Sequence, residues 1–440
     1  MTKGSITKNL ISFAIPLFFG QLLQQLYNVV DSVVVGNVLG KEALAAVSTT
    51  GSLIFLMVGF IGGLFMGNSV IIGKSYGAKN YDRVSAAAHT GITFAIIMGI
   101  VMTVWGYFFT PVLLGWMGTP ADVMNNSVTY FKIYFLGGLG NIMYNACCGI
   151  FQAMGDSKRP LYYLMVSTIL NTILDITFVK FLGFGIGGAA LATVIAQFVS
   201  AGLAFYRLTR VDGPHRIYLS KLHIDKPILA KELSIGFPTG IQNSVIAIGN
   251  VVVQSNINAF GSVAMAGCGS YFKLEGFVFL PITCMSMALT TFVSQNLGAG
   301  EVNRVKKGSK IGSLISITCA EIIGVLVFTL SPYLLRIFSG DPEVLAIGAT
   351  QARTESLFYF LLALSHCLAG TYRGAGKTTV PMIVMLSSWC LLRITYITII
   401  VHFIPVVNVI FWAYPLTWSV SSIIFIIYYF KGKWIKIGIN

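Results

Sequence analysis

Apolar runs long enough to cross a bilayer recur along almost the whole chain, separated by breaks of only a few polar residues. Stretches able to span about 30 Å of hydrocarbon are predicted near 10–36, 43–73, 86–116, 122–153, 160–182, 187–208, 230–260, 263–296, 311–338, 343–373, 380–403 and 408–430. Several exceed 30 residues, so at about 1.5 Å per residue they must tilt, bend or project beyond the bilayer. The one long polar stretch runs from Thr209 to about Lys231. The first block begins like a secretory leader, with Lys3 and Lys8 ahead of Leu10. Gln21, Gln24 and Gln25 interrupt it, no small-residue cleavage site follows, and the apolar pattern continues to Val35, which predicts a retained helix. The pattern as a whole predicts an all-α integral membrane protein of twelve transmembrane helices.

Composition sharpens this. Only 10% of the 440 residues are charged and 55% are hydrophobic, against roughly 25% charged in a soluble domain. Of 29 Lys and Arg, 22 fall on one side if the N-terminus is inside, whereas Lys41, Lys180 and Arg336 are the 3 on the other. Basic residues resist translocation, so both termini are expected in the cytoplasm of a multi-pass cell-membrane protein. The net charge of +14 then follows from basic loops facing anionic membrane lipid, and no nucleic-acid partner is needed. The seven cysteines, at 147, 148, 268, 284, 319, 367 and 390, lie inside apolar blocks and form no disulfide framework. The five histidines have no zinc-ligand spacing, so no cofactor is expected.

A shift of 221 residues superimposes the two halves. Gly77-Ala78 falls on Gly298-Ala299, Arg83-Val84 on Arg304-Val305, Pro111 on Pro332, and Gly155 with Pro160 on Gly376 with Pro381. Ile15-Pro16 mirrors Phe237-Pro238 at a shift of 222. Six crossings, an even number, separate the copies, so the halves are parallel repeats about an axis along the membrane normal. The expected organisation is two six-helix bundles, 1–208 and 230–440, joined by a cytoplasmic linker at 209–229. Such a pair encloses a central cleft suited to alternating access.

Two motifs imitate nucleotide chemistry. Gly183-Phe184-Gly185-Ile186-Gly187-Gly188 satisfies G-x-G-x-x-G, but it follows a membrane span rather than a strand, so a tight turn and close helix packing are expected. Gly376-Lys377-Thr378 resembles the end of a phosphate loop, but the required first glycine would fall at Thr371. With no ATPase motif, transport energy should come from an ion gradient.

Five carboxylates fall within the predicted spans: Asp31, Asp175, Glu275, Glu321 and Glu355. Each costs about 3 kcal/mol at the bilayer centre unless it faces a cavity or a partner. Arg353 lies close in sequence to Glu355 and Lys273 to Glu275, giving those acids a structural reading. Asp31 and Asp175 have no basic residue within their own helical turn, and Asn171 precedes Asp175 by one turn. Oxygen ligands on one face suit a hard monovalent cation or a shared proton, while helix-to-helix gluing is the plainer alternative.

These residues resemble the multidrug and toxic compound extrusion (MATE) family over nearly the whole chain. The matching features are Pro16 and Asp31, the Gly77-Ala78 loop with its repeat, Gln152-Ala153-Met154-Gly155-Asp156, Asn171-x-x-x-Asp175 and Gly187-Gly188-Ala189-Ala190-Leu191-Ala192-Thr193. An acid in the first span and none in the seventh is similar to the DinF-like branch. The resemblance implies two lobes around a V-shaped cleft and secondary active export, without enzymatic activity, of amphipathic and often cationic small molecules by a monomer. It also implies an N-lobe coupling site for Na+ or H+ at Asp31, Asn171, Asp175 and Thr193, with Asn145 nearby and Gln24, Tyr27 and Tyr130 at the cavity. Ile176 stands where many relatives have proline, so the resemblance does not dictate the helix geometry after Asp175. A lipid-linked precursor flippase of the same superfamily is the alternative, although it would be expected to line its cleft with basic rather than acidic residues. An intramembrane aspartyl protease using Asp31 and Asp175 lacks its motif context.

Overall fold

A computed structural model describes residues 1–435, and every regular element among them is helical. The first half contains α1 (Ile6–Leu39), α2 (Lys41–Gly77), α3 (Tyr81–Trp116), α4 (Ala121–Leu136), α5 (Gly138–Ala153), α6 (Lys158–Asp175) and α7 (Gly185–Arg210). The second contains α8 (Lys226–Asn258), α9 (Ser262–Gly298), α10 (Val302–Leu335), α11 (Pro342–Ser356), α12 (Tyr359–Gly374), α13 (Thr379–Met385), α14 (Arg393–Phe403) and α15 (Asn408–Lys431). A π-helical segment, Ile176–Phe181, continues α6, and another, Leu386–Leu392, joins α13 to α14. Taking α4 with α5, α11 with α12 and α13 through α14 as single crossings gives the twelve helices of a multi-pass membrane protein. Among the described residues nine segments are individually long and apolar enough to cross a membrane. The other three are the two broken crossings and α8, whose apolar face is interrupted by Gln242, Asn243, Asn250 and Gln254.

The repeat reaches the backbone. α4 and α5 break at Gly137, and α11 and α12 at Leu357 and Phe358, so the break recurs 221 positions on. Gly40 (φ 87°) before α2 matches Gly261 (φ 93°) before α9, and Gly155 (φ 88°) matches Gly376 (φ 79°). In the same register Lys79 adopts φ 57° where the second copy has Gly300 at φ 77°. A non-glycine residue in the left-handed region is uncommon, so Lys79 carries a strain that its repeat partner avoids.

Helix pairing is repeated too. Ser69 on α2 donates its hydroxyl to the Gly149 carbonyl of α5 at 2.9 Å. At the equivalent positions, Thr290 on α9 donates to Gly370 of α12 at 3.0 Å. Without a side chain at either glycine the backbones approach closely enough for a hydroxyl to bridge them, which substitutes for hydrophobic driving force inside lipid.

The compact units are not the covalent halves. One comprises Phe19–Gly236, and the other joins Met1–Phe18 to the chain from Phe237 onward. The cuts fall beside the prolines inside α1 and α8, Pro16 and Pro238. Leu10, Phe13, Ala14 and Leu17 accordingly pack into the core of the second unit. Ile228 and Ile235 at the start of α8 pack into that of the first. The sequence-derived boundaries, 1–208 and 230–440, follow chain order and do not contain this reciprocal exchange.

The linker lies against α3. The Tyr218 backbone N–H donates to His89 Nε2 at 3.0 Å, and that of Asp225 to Thr90 Oγ1 at 3.1 Å. His215 is buried here, and desolvation, with the nearby Arg159 charge, pushes its imidazole down to about 4.

The turn reading of the 183–188 motif holds. Gly183 (φ 67°) and Gly185 (φ 59°) carry the chain from the π-helical segment into α7, with no strand before them.

Candidate cation site in the Phe19–Gly236 unit

Three helices bring oxygen atoms together. Asn171 and Asp175 lie one turn apart on α6, as do Tyr27 and Asp31 on α1, so each pair shares a helix face. Thr193 comes from α7.

Hydrogen bonds fix the polar side chains. The Thr193 hydroxyl donates to the Ala189 carbonyl at 3.2 Å, which leaves it to accept from Tyr27 at 2.9 Å. Amide orientation is set by partners rather than seen directly. With the Asn171 nitrogen toward Asp175, it donates to Oδ2 at 2.8 Å while its oxygen accepts from the Thr193 N–H at 3.1 Å. The reverse orientation would set oxygen against oxygen.

Both carboxylates are then left incomplete. Asp31 is 6% exposed and Asp175 1%, yet among the described residues Oδ1 of each has no hydrogen-bond partner. The two lie within electrostatic reach of one another, and Tyr130 lies within reach of both. An unsatisfied buried polar atom costs about 1–3 kcal/mol, and more when charged. Two such oxygens beside an amide and two hydroxyls form a hard, anionic donor set. That set fits a monovalent cation or a proton and does not fit a soft transition metal.

The structure brings together Asp31, Asn171, Asp175, Thr193 and Tyr27, with Tyr130 buried beside them. Asn145 turns to its own helix, donating to the Asn141 carbonyl at 2.9 Å and to the Asn141 side chain at 3.1 Å. Gln24 is exposed on α1. Sequence reasoning did not include Tyr134 and Gln197, which meet at 3.5 Å between α4 and α7.

The acids of the other unit have different partners from those suggested by sequence proximity. Glu355 accepts from Gln351 at 2.9 Å and from Tyr271 at 3.2 Å. Arg353 instead donates to the Phe328 carbonyl at 3.4 Å, and Lys273 sits over the Phe338 ring. Residues two apart on a helix point to different faces, so neither base could serve its neighbouring acid. Glu275 lies against Glu355 and within reach of Arg393, which contacts Asn250 and Thr417 and stacks over Tyr414 at 4.4 Å.

A twice-repeated bundle of twelve membrane helices, with carboxylates buried in both units and unpartnered oxygens on Asp31, Asp175 and Glu275 among the described residues, defines a membrane transport protein. The MatE family model matches residues 16–177 and again 238–399, reproducing the internal repeat. The chain belongs to that family of multidrug efflux transporters. It is 29% identical over 436 residues to the probable multidrug resistance protein YoeA of Bacillus subtilis, covering 97% of this chain and 94% of that one. It is 28% identical over 449 residues to the probable multidrug resistance protein NorM of Thermotoga maritima, covering 98% and 94%. Among solved structures, a MOP superfamily transporter from Pyrococcus furiosus superimposes with a TM-score of 0.91 at 21% identity, covering 97% and 96%. That likeness establishes the shared fold.

Proposed function

We propose that the chain exports amphipathic, often cationic organic molecules in exchange for Na+ or H+ by alternating access, as a monomer with both termini in the cytoplasm. The observation that carries this reading is the pair of buried carboxylate oxygens, on Asp31 and Asp175, that have no hydrogen-bond partner among the described residues. A coupling ion neutralises this site, and a cationic substrate is drawn to the same negative charge, so ion entry favours substrate release. Asn171 holds Asp175 by its Oδ2, leaving Oδ1 for the ion, and Tyr27 and Thr193 add neutral oxygens. Aromatic residues, 13% of the chain, supply flat apolar surface for such substrates. The multidrug names of the relatives point to the same substrate class.

The test is efflux of a fluorescent cationic dye from proteoliposomes under an imposed Na+ gradient or an imposed H+ gradient. Uphill dye movement with at least one of them is expected. Equal movement with neither gradient would remove the coupling claim. Orientation is tested separately by cysteines placed at Gly40 and Lys226 in a cysteine-free background. An impermeant thiol reagent outside intact cells should label the first only.

A further inference from the structure

We propose that a cavity at the basic end of the second unit binds the phosphodiester headgroup of an anionic membrane lipid. The cavity, of about 640 Å³, is lined by Lys306, Lys377 and Lys433 together with Tyr429, Phe430 and Trp434, and among the described residues no acidic side chain lines it. The lysines come from three separate places: the second turn of α10, the loop before α13, and the segment after α15. Among the described residues none of them forms an ion pair. Three ammonium groups gathered without a carboxylate repel one another, a cost that an anion would offset.

The cavity is held in shape. After α15 ends at Lys431 the chain turns back, and Trp434, only 2% exposed, donates its indole N–H to the Tyr429 carbonyl at 2.9 Å. Its ring packs on Tyr429 and Tyr372, with centroids 5.1 and 5.7 Å away. That packing holds Lys433 at the wall of the cavity that Lys306 and Lys377 also line.

The neighbouring surface favours a lipid over a water-soluble phosphate. Ile423, Ile427 and Phe430 are 55%, 52% and 80% exposed along α15 and lead up to the cavity. A membrane helix presents such a stripe to acyl chains, so the apolar tail and the anionic head of one molecule meet matching surfaces in order. Basic pockets at the ends of membrane helices are suited to anionic headgroups.

The test needs no transport assay. The purified full chain in detergent is titrated with phosphatidylglycerol, and with phosphatidylcholine as a zwitterionic control, and retained lipid is counted by native mass spectrometry. Phosphatidylglycerol should be retained preferentially. Each of Lys306→Gln, Lys377→Gln and Lys433→Gln should weaken it about fivefold, and the triple variant about a hundredfold. The triple arginine variant keeps the charge and should retain the lipid, which separates loss of charge from loss of fold. Undiminished phosphatidylglycerol binding by the triple glutamine variant would overturn the proposal. So would equal retention of phosphatidylcholine, or displacement of the lipid by an equal concentration of glycerol 3-phosphate, which would mark a site for a soluble anion.

Discussion

Tyr27 and Thr193 stand 166 positions apart, yet their hydroxyls meet at 2.9 Å and tie α1 to α7 beside the buried carboxylates. Removing the phenol oxygen takes one neutral oxygen from the proposed ion site and frees Thr193 to rotate. Tyr27→Phe should fold normally and weaken apparent coupling-ion affinity by roughly two- to tenfold, the worth of one hydrogen bond. Ion dependence of efflux in proteoliposomes checks this, and an unchanged half-saturation point would place Tyr27 outside the site.

Asp31→Asn and Asp175→Asn keep the shape of the side chain and remove its ability to exchange a proton or to carry charge. Each should lower dye export close to background while the protein still accumulates in the membrane. Glu355→Gln should behave differently. Its neighbours Gln351 and Tyr271 can still hydrogen-bond an amide, so most export should remain at a cost of about 1 kcal/mol in stability. Export by both aspartate variants at the native rate would contradict the assignment.

The repeated glycine contacts predict unequal costs. A Cβ on Gly370 would run into the Ser286 backbone carbonyl, which cannot move without displacing α9, whereas at Gly149 the nearest atom is the rotatable Ser69 Oγ at 2.7 Å. Gly370→Ala should therefore destabilise by about 1–3 kcal/mol and Gly149→Ala by less. Thermal unfolding in one detergent, comparing the two variants side by side, gives the order.

Linker docking should depend on pH through His215. Its folded value of about 4 lies below the ordinary 6.5, so the folded unit binds fewer protons than the unfolded chain. Docking is therefore strongest above about pH 6.5 and weakens as the pH falls toward 4. Hydrogen exchange of the linker amides, corrected for intrinsic rates, should show this slope, and His215→Gln should flatten it.

Much of the fold was legible because bilayer physics leaves few choices. Apolar lengths located the crossings, and glycine and proline spacing exposed the repeat down to the turns at Gly155 and Gly376. The exchange of the first turns of α1 and α8 between units was not legible. It depends on which core Leu10 and Ile228 enter, and an apolar residue does not name its core. At the site, the one-turn spacing of Asn171 and Asp175 predicted their contact. The local pairing of the Asn145 amide nitrogen with Asn141, one turn away, was not read from the sequence. The pairings of Glu355 and Glu275 failed because nearness in sequence ignored helix direction. The π-helical segment after Asp175 occurs where Ile176 stands, and no residue pattern announced it.

The central claim is that Asp31 and Asp175 together hold the coupling ion, whichever ion is used. Sodium and protons would then occupy the same oxygens and must compete. The most direct measurement is sodium binding to the purified protein at a series of pH values. Apparent sodium affinity should fall steadily as proton concentration rises, and the binding should vanish in Asp31→Asn and Asp175→Asn. Sodium affinity that stays constant with pH, or that survives both substitutions, would contradict the account.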